Sequence, residues 1–198
     1  MTTQTRTSEL ESVNVILSTI GEAPLNTLTG SLPVDGTIAK NVLSEVAREV
    51  QSQGWHFNTH TKVTLPRNTD NKIPLATNIV RVEINPRKYS KFNYDIVQRN
   101  NFLYNLAKNE DTFDTDLEEA TVVYLLPFDD IPEQAKRYIT IRSARIFHDR
   151  TLGANTIHKF SQEDEAKALS ILKQAESHTG DFTIFDTPEQ AYTVLRGN

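Results

Sequence analysis

Apolar residues recur at helical spacing towards both ends of this chain and alternate with polar ones through its middle. Leu10, Val13, Leu17 and Ile20 repeat at steps of three and four, and Ile16 widens the stripe. Ser8 and Glu11 precede it with capping-box spacing, and Gly21 and Pro24 close it, which predicts a helix over about residues 9–20. A loop rich in Gly, Pro and Thr follows at 25–36. Ala39, Val42, Leu43, Val46 and Val50 then share one face of a second helix, 37–53, stopped by Gly54. Trp55 and Phe57 alternate with His56 and Asn58, an extended pattern.

Between 59 and 127 the period is two. Val63 and Leu65 alternate with polar neighbours, and 79–84 is a short β-branched run. The segments 92–96 and 102–106 flank Asn100-Asn101, a dipeptide that tolerates positive φ and predicts a hairpin turn. The strongest strand signal is 121–126, ended by Pro127. About five strands are expected, mainly antiparallel.

Helical period returns at Pro132, with Asp129 or Asp130 as the expected cap, and continues to about Thr151 before Gly153. Ala135, Tyr138, Ile139, Ile141, Ala144, Ile146 and Phe147 lie on nearly every side, as suits a central helix. A fourth helix starts from Ser161, with Glu163, Asp164 and Glu165 at its positive end. Ala168, Ile171, Leu172 and Ala175 form its apolar face, and Gly180 follows. The predicted fold class is α+β. A four-helix bundle, discontinuous in sequence, comes from 9–53 and 131–179, and a mainly antiparallel β lobe is inserted at 55–127. Gly54, Trp55 and Phe57 mark the lobe junction, read either as a hinge or as a helix stop followed by core aromatics.

Composition narrows the chemistry. The 198 residues contain no cysteine, which excludes disulfides and thiolate chemistry within the chain. No apolar run is long enough to span a bilayer, and the polar first nine residues lack the core of a signal peptide. A net charge of −5 argues against a surface that grips nucleic-acid phosphates.

The candidate sites are few. His56 and His60 are four apart, but Gly54 has ended the helix that would align them for a metal. Glu110, Asp111, Asp114, Asp116, Glu118 and Glu119 lack the glycine of a calcium loop and read as a solvated loop before a strand. Arg142 and Arg145 share one side of the third helix with Asp149. Arg145–Asp149 has ion-pair spacing, within one chain or between subunits. Residues 181–198 carry Phe182, Ile184, Phe185, Tyr192 and Leu195 without a periodic pattern. They are expected to form a C-terminal arm ordered by a neighbouring subunit or partner, or to fold back on their own bundle. No nucleotide-binding glycine pattern, nucleophile elbow or nucleophile–histidine set occurs, so no catalytic, cofactor or metal residue is assigned.

Three segments, 10–24, 48–58 and 131–168, carry a resemblance. They include Gly54-Trp55-His56-Phe57, Ile131-Pro132-Glu133-Gln134-Ala135-Lys136-Arg137-Tyr138, Ser143-Ala144-Arg145 and Leu152-Gly153-Ala154. In order and spacing the chain resembles the tail tubular protein A family, the ring-forming adaptor or gatekeeper of short-tailed, podovirus-type phages. The resemblance implies a structural virion protein of the tail, made in the host cytoplasm and without a cofactor. It further implies a homo-oligomeric, dodecameric ring between the portal protein and the nozzle, a tail tubular B-type protein, with tail fibre protein docking near that junction. The β lobe would face the nozzle. Genomic DNA would pass through the lumen during ejection without specific binding, and there would be no membrane insertion. Two alternatives stand beside it: a tail-associated polysaccharide hydrolase, and a head-completion connector without nozzle contact.

Overall fold

A computed structural model describes residues 5–153 and 160–179. The expected arm at 181–198, with Phe182, Phe185, Tyr192 and Leu195, lies outside the described residues. The architecture is α+β, with four α-helices and antiparallel sheets among the described residues. The chain divides into two compact units, one built from the chain up to Leu43 and from Pro132 onward, the other from Ser44–Ile131. The division falls inside a helix, well before the aromatic segment that follows Gly54.

In the first unit, α1 spans Glu9–Leu17. Its capping box forms as the sequence predicts. The Ser8 amide donates to the Glu11 carboxylate at 2.7 Å, and the Glu11 amide donates to Ser8 Oγ at 3.2 Å. The helix ends three residues early. The Ser18 and Thr19 hydroxyls donate to the carbonyls of Val15 and Ile16, and the next amides tighten to i−3 bonds. Asn14 then fixes the following loop, its side-chain amide bonding both backbone groups of Leu25 at 2.7 and 3.0 Å.

Helix α2 covers Val34–Ser52 and starts earlier than the pattern suggests. The Pro33 carbonyl accepts its first bond, from the Thr37 amide. Gly36 lies within the first turn, where an added Cβ would stand 2.9 Å from Leu25 Cδ1, the end of a side chain that can move aside.

Helix α3, Glu133–Leu152, packs against both α1 and the last helix, α4, Gln162–Thr179. Ala135, Tyr138, Ile139, Ile141, Ala144 and Phe147 are all buried along it. Neither Asp129 nor Asp130 caps it. Both lie in a 3₁₀ turn, and the first helical bond runs from the Lys136 amide to the Pro132 carbonyl. Ser161 caps α4 as expected, exchanging backbone and side-chain bonds with Asp164. The Ser161 amide, then its hydroxyl, hold the Asp164 carboxyl below the usual range.

The second unit holds two antiparallel sheets. The larger has the order β1 (Thr59–Leu65), β5 (Leu117–Tyr124), β2 (Ile79–Glu83). The smaller is a hairpin of β3 (Ile96–Arg99) and β4 (Phe102–Asn105), turning at Asn100 and Asn101 with φ of 49° and 61°. The extended segment expected at 92–96 is corrected: Ser90–Phe92 is a 3₁₀ turn and β3 starts only at Ile96. Phe92 and Tyr94 stack at 5.2 Å, and Tyr94 meets Phe113 edge-on, so these aromatics join a core cluster instead of alternating along a strand.

Phe147 is fully buried in the second half of α3. Phe147→Ala should destabilise the chain by about 3–5 kcal/mol. Thermal and urea unfolding followed by circular dichroism will show this as a large fall in midpoint, and an unchanged midpoint would contradict the central role of α3.

Candidate assembly surfaces

At the end of α2 the backbone is committed to unusual geometry. Gly54 has φ of 79°, and a Cβ there would lie 2.3 Å from Arg81 Nη2 and 3.2 Å from Val123 Cγ2. Trp55 and Phe57 are half-buried, and the Trp55 indole donates to the Val50 carbonyl at 2.7 Å. The segment is not extended, as the alternation suggests, but a 3₁₀ turn over His56–Asn58. Asn58 explains the difference. It is wholly buried, and its Oδ1 accepts from the Trp55 amide at 2.9 Å. Its Nδ2 donates to the carbonyls of Gln51 and Tyr124 at 2.8 and 2.7 Å. Gln51, also buried, bonds both backbone groups of Leu126. Two amide side chains thus fasten the last turn of α2 to the end of β5. Neither stands out in the sequence, because polar residues at a helix end normally face water.

His60 packs on the Tyr124 ring at 4.8 Å. Among the described residues no group of three or more acids and histidines gathers that could hold a metal ion.

The acidic cluster stays largely exposed, as expected, and surface ion pairs tie it to other parts of the lobe. Arg67 meets Asp116 at 3.1 Å, Lys72 meets Asp111, Lys108 meets Asp114 at 3.0 Å, and Lys88 meets Glu118 and Glu119 at 3.1 and 3.0 Å. Glu118 and Glu119 belong to β5 itself. Two tyrosine hydroxyls add to the fastening. Tyr94 accepts from the Asp114 amide, and Tyr89 both accepts from and donates to the Glu118 backbone. Burial pushes the Tyr94 phenol up, while the Glu119 and Glu118 carboxylates raise Lys88. The segment 66–78 is anchored as well. Ile73 and Leu75 are buried, and the Ile73 and Asn101 carbonyls accept from the Leu103 and Leu75 amides. Deleting either segment would remove core residues, Ile73 and Leu75 in one and Phe113 and Leu117 in the other.

On the first unit, Arg142 and Arg145 converge on a single carboxylate, Glu165 of α4. Arg142 Nη1 lies 3.1 Å from Oε1, and Arg145 Nη1 bonds Oε2. Arg145 is thus drawn to a neighbouring helix, where sequence spacing points to Asp149 on its own. Both guanidinium groups remain partly exposed beside a mostly buried acid. Nearby, buried Lys136 donates to the Thr7 carbonyl at 2.9 Å, and Glu133 accepts from the Thr7 amide, so the segment before α1 is strapped to α3. No helix among the described residues is long and apolar enough to cross a membrane.

Two expectations follow. Asn58→Asp loses the donor that serves two carbonyls and places a charge in a buried site, so it should destabilise the chain more than Asn58→Ala at neutral pH. Each lost buried bond costs about 1–3 kcal/mol. Denaturant midpoints of the two variants check the order. The second concerns acid. The Arg67 amide and then its guanidinium hold Asp116 below the usual carboxylate range. A depressed folded pKa contributes stability that is present above the unfolded value, about 3.9, and is lost as pH falls through the folded one. The melting-temperature gap between the natural chain and Asp116→Asn should therefore be widest near neutrality and shrink below about pH 4.

A family model described as "Tube: Tail tubular protein" matches residues 10–182. No curated protein matches the chain.

Proposed function

We propose a role from one premise: the chain belongs to the tail tubular protein family, and is a structural component of the virion tail that assembles with other tail proteins. The observation that carries the finer reading is the span of the match, which runs from α1 to beyond α4 and takes in both compact units. In that reading the chain is a ring-forming adaptor, dodecameric, made in the host cytoplasm. It links the portal protein to the nozzle of a short-tailed phage, with tail fibre protein docking near the nozzle contact.

The β lobe presents its cross-tied loops to the nozzle and fibre. Loops held on a rigid scaffold are where partner contacts concentrate, and the ion pairs and tyrosine bonds described above supply that rigidity. The helical unit meets the portal and the adjacent subunits, using Arg142 and Arg145 together with Phe182, Phe185, Tyr192 and Leu195 of the C-terminal arm. A net charge of −5 suits a channel through which DNA slides without being held.

The test is assembly. Full-length chain mixed with the portal protein should appear as a closed ring by native mass spectrometry and negative-stain imaging, with twelve-fold symmetry in projection. A chain that stays monomeric with and without portal would overturn the reading. Truncation after Gly180 should leave a folded protein, by circular dichroism, that docks poorly onto portals.

A further inference from the structure

Ile171 leaves 48% of its surface exposed on α4, although its neighbours Ala168 and Leu172 are buried. Beside it lies a groove of about 190 Å³ between α3 and α4. Ile141 and Ala168, both buried, line its floor, and Arg137 and Lys167 stand on its rim with Asp164. Asp164 is engaged by Ser161 as the helix cap. The groove is therefore apolar inside, and its edge carries two cations and one carboxylate, a net positive charge.

The sequence continues for residues 180–198 beyond the last turn of α4. Phe182, Ile184 and Phe185 come within six residues of Thr179. The same stretch holds Asp181, Asp186 and Glu189 against the single Arg196, an excess of negative charge that complements Arg137 and Lys167. We propose that the groove of one copy receives the Phe182–Phe185 stretch of a second copy, a contact that rests on the ring reading above and supplies its subunit-to-subunit bond.

The direction of α4 selects the second copy. The groove sits between Asp164 and Ile171, in the first part of the helix, while the chain leaves from the other end. Eight residues separate Ile171 from Thr179, about 12 Å along the axis at 1.5 Å per residue. The last turn of α4 points away from its own groove, a direction that favours a neighbouring copy's groove over its own. Because arm and groove are different surfaces, the contact is head-to-tail, the type that closes into rings. Burial of apolar side chains drives it, and the charges set its register.

The chain has no cysteine, so introduced thiols report unambiguously. Ser170→Cys, on the exposed surface beside Ile171, and Thr183→Cys in the arm are made in separate full-length chains, mixed, and bridged with a short bismaleimide. A covalent heterodimer is expected. Adding Ile171→Asp to the first chain should lower its yield at least about tenfold, with helicity unchanged by circular dichroism. Lys167→Glu, which leaves the apolar floor intact, should lower it as well. Both cysteines in one chain should yield a ladder of bridged oligomers. A bridged monomer from that double variant, or no bridging, overturns the contact. Mass measurement of the untreated chain with portal separates the two readings. Rings without bridging sink the arm–groove contact alone, and bridged pairs that never close into rings sink the ring.

Discussion

Two buried amides, Asn58 and Gln51, hold the point at which α2 stops, β1 starts and β5 ends. Between them they bond the backbone of Trp55, Gln51, Tyr124 and Leu126. The Gln51 carbonyl is buried and the other backbone groups are partly so, and a buried group left without a partner costs about 1–3 kcal/mol. The amides are thus less an added attraction than a condition for burying this corner at all. Gly54 completes the corner, because its φ of 79° is a backbone conformation that residues with a Cβ rarely adopt.

From that corner β5 runs as the middle strand of its sheet, and its partners are irregular. Lys62 and Glu119 both have positive φ, and the β1–β5 register shifts between His60 and Val63. Such bulges twist an edge and discourage pairing with a further strand. The opposite end of β5 is secured by charge. Exposed ion pairs are individually worth only about 0–1 kcal/mol. Four cations and two tyrosine hydroxyls on one short stretch act mainly to hold its shape, while Phe113 and Leu117 beneath supply the burial.

In the first unit α3 is the shared wall. It packs on α1 through the Ser12–Thr140 hydroxyl bond and the Lys136–Thr7 strap, and on α4 through Glu165 with its two arginines. Since apolar residues surround it on nearly every side, a weak amphipathic signal is the expected signature of its position.

The sequence by itself determined the elements whose signals are local. The capping boxes at Ser8 and Ser161, the Asn100-Asn101 turn, the centrality of α3 and the α+β class depend on residues a few positions apart, and periodicity reads those. The motif spacing also carried the family, which the match over 10–182 shows. Tertiary structure decided what depends on partners far along the chain. Asn58 turns 56–58 into a 3₁₀ helix because Tyr124 offers it a carbonyl, and Arg145 turns to Glu165. The ion pairs of the acidic run went unread because their cations, Arg67, Lys72 and Lys88, lie up to about fifty positions away in sequence. A hydrogen bond or an ion pair is short-ranged in space and indifferent to sequence separation, so the fold alone settles which residues it joins.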